Sequence, residues 1–189
     1  MTFEFTPATA ETELPYEPHL SFSDLAWRKL TLYTRRCPLE IGGLGYVRED
    51  GPDFVLEDVF IVQQDINDIA TRLETSAVHQ LIVDTIDSGL DASGLKLWWH
   101  SHAREATFWS GEDEATIDRF RNEGMLSLVT NHRLKFLARL DRYQPRGTTW
   151  IWLDRPETDS AATPEDELAA DEEIAAKTRH IPRDSPRIF

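Results

Sequence analysis

Apolar and polar positions repeat along the chain with two different periods, and the change of period predicts the order of its elements. Apolar residues recur at helical spacing over 21–37, where Ser23 stands in the N-cap position and Pro38 ends the helix. Further helices are predicted over 76–89 and 111–123, and strands over 40–47, 54–64, 95–102, 126–130, 136–143 and 148–153. This order predicts an α/β domain with a mixed β-sheet flanked by helices.

The same pattern predicts turns and buried side chains. Turns are expected at 49–52 and 131–133, and Gly89 is expected to end the second helix. Ile117 and Phe120 fall on the inner side of the third helix. The tryptophans that alternate along predicted strands are expected in or near the core: Trp98, Trp150 and Trp152.

The two ends of the chain differ from its middle. Residues 1–20 are acidic and contain three Pro, which predicts an extended lead. Residues 21–155 carry the periodic pattern and are predicted to form the domain. From 156 to 189 the chain changes character, with eight acidic residues and no basic one over 157–173. That composition predicts an acidic tail or a peripheral helix.

Composition narrows the class of protein. With 189 residues, 40% of them hydrophobic, the chain can bury a sizeable core. The net charge of -14 argues against nucleic acid or an anionic membrane as a partner. No apolar run reaches membrane-spanning length and residues 1–20 lack Lys and Arg, so a cytoplasmic protein is expected. Cys37 is the only cysteine, which excludes a disulfide framework or a cysteine-rich zinc site within one chain. No feature of the sequence indicates an oligomeric state.

Three residues have the spacing of metal ligands. His100 and His102 lie two apart on a predicted strand, so their side chains share one face. Asp113 follows at the start of the next helix. Three N/O ligands with one open position describe a catalytic zinc site. The alternative is a surface pair of histidines on an edge strand, with Asp113 placed to complement the helix dipole.

A longer pattern surrounds these ligands. Glu40-Ile-Gly-Gly43, then His100-Ser-His102, then Ser110-Gly-Glu-Asp113 resembles the JAMM motif of the MPN+ metalloproteases. That family comprises zinc-dependent deubiquitinases and their prokaryotic relatives, and the resemblance spans about residues 20–155. It implies the JAMM/MPN fold, which is similar to that of cytidine deaminases. Ala103 departs from the family, which often has proline there, and the chain leaves little room for the long substrate-binding insertions of eukaryotic members.

The resemblance also implies roles for the site residues. Zn²⁺ would be held by His100, His102 and Asp113. Glu40 would be the general base, and Ser110 would donate a hydrogen bond to the oxyanion. The expected substrate is a ubiquitin-like protein or its conjugate, cut at the amide bond after its C-terminal tail.

Several alternatives remain open from the sequence. Ser110 is also a natural N-cap, because Ser-x-x-Asp is a form of the capping box. Gly43 does not belong to a G-x-G-x-x-G phosphate-binding motif. It is interpreted as a place where a substrate strand approaches the backbone closely. Trp109, next to Ser110, has two interpretations: a packing residue of the fold, or a substrate-binding wall of the cleft. The rival functions are processing of a ubiquitin-like or sulfur-carrier precursor and a non-catalytic MPN scaffold, whereas a zinc deaminase would need cysteines that the chain lacks.

Overall fold

Two β-sheets organise the chain. The computed structural model describes residues 16–119, 124–143, 146–156 and 162–183. The strands are β1 His19–Phe22, β2 Gly42–Asp50, β3 Asp53–Phe60, β4 Gln64–Ile66, β5 Thr71–Leu73, β6 Leu97–Ser101, β7 Gly124–Thr130, β8 Phe136–Tyr143, β9 Arg146–Trp150, β10 Trp152–Asp154 and β11 Thr178–His180. The larger sheet has the order β10-β1-β3-β2-β6-β7-β8-β9, and the smaller has the order β11-β4-β5.

The larger sheet is mixed. β1 runs parallel to β3 and β10, and β6 runs parallel to β7, whereas the other neighbouring strands are antiparallel. β2 and β3 form the predicted hairpin, whose turn contains Gly51 at φ 63°. A mixed sheet flanked by helices is therefore confirmed as the fold class.

One continuous segment joins the two ends of the larger sheet. β9 pairs with β8 up to Trp150, and β10 then pairs with β1 from Trp152 onward. Ile151 between them is buried and bonds through its N–H to the carbonyl of Ala138. The single strand predicted over 148–153 is thus two strands, because the chain changes partner at Ile151.

This change of partner corrects the prediction for two tryptophans. Trp98 is buried as expected, but Trp150 and Trp152 are 57% and 60% exposed. Ile151 occupies the inward position, so its two neighbours point outward. The indole N–H of Trp152 instead donates to the carboxylate of Glu17 at the surface.

Four α-helices flank the sheets within the described residues. They are α1 Asp24–Arg36, α2 Thr75–Asp87, α3 Gly111–Ile117 and α4 Pro164–Lys177, and a turn of 3-10 helix spans Ala92–Gly94. Ser23 caps α1 by accepting a hydrogen bond from Ala26 N, as its position predicted. Gly89 follows α2 at φ 79°, a left-handed conformation that suits glycine after a helix.

Two neighbouring tryptophans on β6 point to opposite faces of the larger sheet. Trp99 packs in the main core, where Tyr33 of α1 stacks on it with ring centroids 6.2 Å apart. Trp98 points to the opposite face and packs in a smaller cluster with Ile117 of α3. α1 therefore covers one face, and α3 lies on the other, beside the end of β6.

The predicted helix over 111–123 is shorter in the structure. α3 ends at Ile117, whose carbonyl accepts a hydrogen bond of 2.8 Å from the hydroxyl of Tyr143. Ile117 is buried as predicted, whereas Phe120 lies outside the described residues. The turn predicted at 131–133 is confirmed, because the side chain of Asn131 accepts hydrogen bonds from two backbone N–H groups that follow it.

Both ends of the described chain pack on this body. β1 begins at His19, so the last two residues of the predicted lead belong to the sheet. In the acidic C-terminal part the helix alternative is the one observed, as α4 buries Ala170 against the core around α1. Arg36 of α1 pairs with Glu167 and Asp171 of α4. β11 then adds a strand to β4.

No helix within the described ranges is long and apolar enough to span a bilayer.

Candidate metal centre

β6 and the residue that follows it bring the side chains of His100 and His102 close together. His100 lies within β6, opposite Gly42 of β2 and Val129 of β7. His102 follows the strand and continues its pairing, with its N–H bonded to the carbonyl of Thr130. Alternate positions share a face, and the Nε2 atoms of the two rings lie 3.0 Å apart.

Asp113 reaches the same point from the first turn of α3. Its Oδ1 lies 3.1 Å from Nε2 of His100, and its Oδ2 lies 3.6 Å from Nε2 of His102. The three residues are buried, and their ligand atoms all lie within 4.8 Å of one another. The structure thus brings together all three predicted ligands, and this buried group can hold a metal ion.

The loop after His102 fixes the orientation of its ring. Nδ1 of His102 lies 2.9 Å from the carbonyl oxygen of Ala106, to which it donates when protonated, leaving Nε2 free to bind an ion. The loop starts at Ala103, which has φ 42° and whose carbonyl accepts a hydrogen bond from His132 N. His100 is held differently, since its ring stacks on Trp98 at 4.4 Å and its buried Nδ1 meets no partner among the described residues.

The charges of the three groups favour a bound cation. Burial raises the pKa of a carboxyl, but at Asp113 hydrogen bonds from His100 and His102 outweigh burial and hold its pKa well below its usual range. Burial lowers the pKa of His100. Burial acts in the same direction on His102, but Asp113, the carbonyl of Ala106 and Glu40 together raise its pKa. The site therefore offers an ionised carboxylate and imidazoles from which a metal ion can displace a proton.

Glu40 lies beside this group. Ser101 N bonds to Ile41 O at 2.7 Å, and continuing the β2–β6 register places Glu40 opposite His102. Its side chain lines the same cleft as the histidines. Burial, together with the negative charges of Asp113, Glu105 and Asp68, raises the pKa of Glu40 to about 7, against the opposing effect of His102. A carboxyl with that pKa can both accept and return a proton near neutral pH.

Ser110 caps α3 and faces the cleft. Its hydroxyl oxygen accepts a hydrogen bond of 3.2 Å from Asp113 N, and Asp113 Oδ2 accepts one of 2.7 Å from Ser110 N. This reciprocal capping box confirms the N-cap interpretation. The hydroxyl hydrogen is not used by the capping bond, so Ser110 keeps a donor for a ligand in the cleft.

The site opens into a cleft of about 580 Å³. Its wall includes residues that the sequence pattern did not assign to a site, namely Ile69, Thr71, Arg72, Trp98, Glu105, Phe108 and Arg119. Phe108 and Ile69 are half exposed there, which gives the cleft an apolar rim among carboxylates. Most of these residues come from β5 and from loops, whose course depends on tertiary contacts.

Trp109 and Gly43 are not among the residues that line this cleft in the described chain. Trp109 packs on the smaller core cluster and against the guanidinium of Arg139, so the packing alternative describes it. Gly43 lies opposite Trp99, where an added Cβ would be 1.8 Å from the carbonyl oxygen of Phe60. Close packing of β2 on β3 therefore accounts for this glycine.

Comparisons with known proteins bear on the fold alone. A scan against protein-family models gives no match, and a search of curated proteins gives none either. Among solved structures, the chain is similar to protein DSY2949 from Desulfitobacterium hafniense, with a TM-score of 0.51 and 16% sequence identity. The match covers 75% of this chain and 95% of that one, which supports the α/β arrangement of the sheet and helices.

Proposed function

We propose that the protein is a zinc-dependent peptidase of the JAMM type, which cleaves the amide bond after the C-terminal tail of a ubiquitin-like protein. The observation that carries this proposal is the convergence of His100, His102 and Asp113 in one cleft with Glu40 and Ser110. Ligands, a proton acceptor and a hydrogen-bond donor are the groups that metal-assisted amide hydrolysis requires.

The donor set suits zinc. Two imidazole nitrogens and one carboxylate oxygen form a three-ligand set of the kind found in catalytic zinc sites, where a fourth position stays open. When bound, zinc would supply Lewis acidity toward a water and the scissile carbonyl. The chain's own contribution is to keep Asp113 ionised and to orient His102 through Ala106.

Glu40 fits the role of general base. Its buried carboxylate has a pKa raised to about 7, so near neutral pH it takes a proton from the attacking water and returns it to the leaving amine. Glu40 also lines the same cleft as the three ligands, which supports this role.

Ser110 fits the role of oxyanion donor. Because Asp113 N binds its hydroxyl oxygen, the side chain is held in place while its hydrogen can point to a carbonyl oxygen in the cleft. Such a donor is worth about 2.7–4 kcal/mol in the transition state.

The edge of the smaller sheet offers a place for an extended tail. Among the described strands β5 pairs with β4 alone, and Thr71 and Arg72 of β5 line the cleft. A peptide segment added beside β5 would gain backbone hydrogen bonds while its scissile bond reached the metal ligands. This arrangement favours an extended C-terminal tail as the substrate.

The test compares wild type with Glu40→Gln. Both proteins are loaded with zinc, and each is assayed on a linear fusion and on an isopeptide conjugate of a ubiquitin-like protein. The expected result is one bound zinc in both proteins and turnover by wild type alone. Glu165→Gln, which changes an exposed carboxyl on α4, serves as the control and should turn over like wild type.

Each outcome separates the alternatives. Cleavage of the linear fusion alone would assign precursor processing. Binding of zinc without cleavage of either substrate would assign a non-catalytic scaffold, and equal turnover by Glu40→Gln would remove Glu40 from the mechanism.

A further inference from the structure

We infer that Arg139 is the positioning residue of the metal centre: it holds the first turn of α3, and with it Asp113 and Ser110, against the sheet. This inference rests on the proposed function, because it concerns the affinity of the same three ligands for zinc.

Arg139 makes a fixed fork between β8 and α3. Its guanidinium donates to both carboxylate oxygens of Glu114 at 2.6 and 2.7 Å, and its Nε donates to Asp141 at 2.9 Å. The Arg139 side chain is 7% exposed, whereas that of Glu114 is 53% exposed. Thr148 donates to the other oxygen of Asp141 at 2.7 Å, so the carboxylate that binds Nε of Arg139 is itself held in place. A bidentate pair of this kind fixes orientation as well as distance.

The position of α3 depends on such contacts. α3 has seven residues, and helices of that length have little stability of their own. At its far end Tyr143 bonds to the carbonyl of Ile117. At its near end Glu114 is the neighbour of Asp113, so Arg139 acts on the turn that carries the third ligand.

The same guanidinium supports the other side of the site. Its central carbon lies 4.7 Å from the ring centre of Trp109, and the ring of Trp109 lies 6.0 Å from that of His100. Pairing across the sheet places Arg139 beside Ser127 and Ser127 beside Trp98, in one row on the face that α3 covers. Arg139 therefore contacts Trp109, whose ring lies beside His100, and Glu114, in the turn that carries Asp113.

Two substitutions test this role. Arg139→Lys keeps the charge but removes the fork. Glu114→Ala removes the other partner at an exposed position, where alanine keeps a high helix propensity. The measurements are the zinc dissociation constant, by competition with a chromogenic chelator, and the melting temperature of the metal-free protein.

The expected result is a zinc dissociation constant raised about 10- to 100-fold in both variants, the range seen when groups behind metal ligands are lost. The double variant should be no weaker than the weaker single variant, since both changes break one contact. Two controls are matched to these changes. Arg36→Lys alters the fork between α1 and α4, and Glu165→Ala removes an exposed first-turn carboxylate from α4. Both controls should bind zinc like wild type.

Two outcomes would overturn the inference. If Arg139→Lys and Glu114→Ala lower the melting temperature but keep the wild-type zinc affinity, Arg139 is a residue of the fold and not of the site. If wild type itself binds no zinc, the proposed function fails and the inference fails with it.

Discussion

His102 and Ala106 are joined by a hydrogen bond of 2.9 Å between the ring Nδ1 and the backbone carbonyl oxygen. The bond assigns the proton of the neutral ring to Nδ1, which turns the lone pair of Nε2 toward His100 and Asp113. A backbone carbonyl from the loop after β6 thus determines which nitrogen of His102 is available for an ion.

Adding zinc to the metal-free protein should raise its stability. At a free zinc concentration 100 times the dissociation constant, the gain is about 2.7 kcal/mol, because the ion binds the folded chain alone. His102→Ala should abolish this gain, whereas His79→Ala, at an exposed position on α2, should keep it. Thermal unfolding with zinc and with a chelator measures both. Identical wild-type curves in the two conditions would argue against a metal centre.

Glu40→Gln should stabilise the metal-free protein at high pH. The pKa of Glu40 rises from its ordinary 4.5 to about 7 on folding, so the folded chain holds the proton more tightly and wild-type stability falls as pH rises between those values. Across this pH range the free energy of unfolding of wild type falls by an amount on the order of 3 kcal/mol. The glutamine side chain does not titrate, so the variant shows no such fall. Urea unfolding with a chelator should show the variant more stable at pH 8 and equal to wild type near pH 4.5. A difference in the free energy of unfolding between variant and wild type that is the same at both pH values would contradict this prediction.

Ala103→Pro should disrupt the site, although the metalloproteases whose motif the sequence resembles often have proline there. Ala103 has φ 42°, and proline is confined to φ near -65°. The substitution should destabilise the protein by more than about 1 kcal/mol and weaken zinc binding, because it moves the loop that orients His102. Ala103→Gly accepts the observed φ and should change stability by less than about 1 kcal/mol. Denaturant melts and zinc titration of the two variants test the pair, and a stable zinc-binding Ala103→Pro would show that the loop has another conformation.

Ser110→Gly should separate capping from catalysis. Glycine is an acceptable N-cap and should lower stability by only a few tenths of a kcal/mol, whereas Ser110→Ala should lower it by about 1 kcal/mol. Both variants lose the hydroxyl, so both should lose about 100- to 1,000-fold in kcat. Steady-state kinetics and thermal melts give the two quantities. Retained turnover in Ser110→Gly would restrict Ser110 to its capping role.

Gly43→Ala tests packing against substrate contact. A methyl group there meets the carbonyl of Phe60, so the variant should lose about 1–3 kcal/mol of stability. Gly111→Ala is the control, because a Cβ on Gly111 meets nothing within 4 Å. Denaturant melts compare the two. A stable Gly43→Ala with a raised KM would instead favour the original interpretation of a substrate contact.

Most of the candidate site could be predicted from local patterns in the sequence. The i, i+2 spacing of His100 and His102 and the Ser110–Asp113 capping box each depend on one element, so the residues predict their own geometry. α1 and the β2–β3 hairpin are predictable for the same reason, since Ser23 and the Gly51 turn mark their ends.

The rest depends on contacts between distant parts of the chain. Nothing near Trp150 and Trp152 indicates that the strand changes partner between them, so their exposure was predicted wrongly. Arg139 and Asp141 did carry a signal, namely opposite charges at alternate positions of a predicted strand. Identifying Glu114 as the partner of Arg139 required the fold.

The connection of β9 to β10 through Ile151 also constrains when the molecule can be assembled. β1 lies between β3 and β10, so its second neighbour, Trp152–Asp154, is supplied more than a hundred residues later in the chain. During synthesis the edge of β1 that pairs with β10 therefore stays unpaired until most of the polypeptide has left the ribosome. Long-range parallel pairing of this kind forms slowly and leaves strands exposed to misassociation, so chaperones are expected to matter most for the nascent chain before residue 154 emerges.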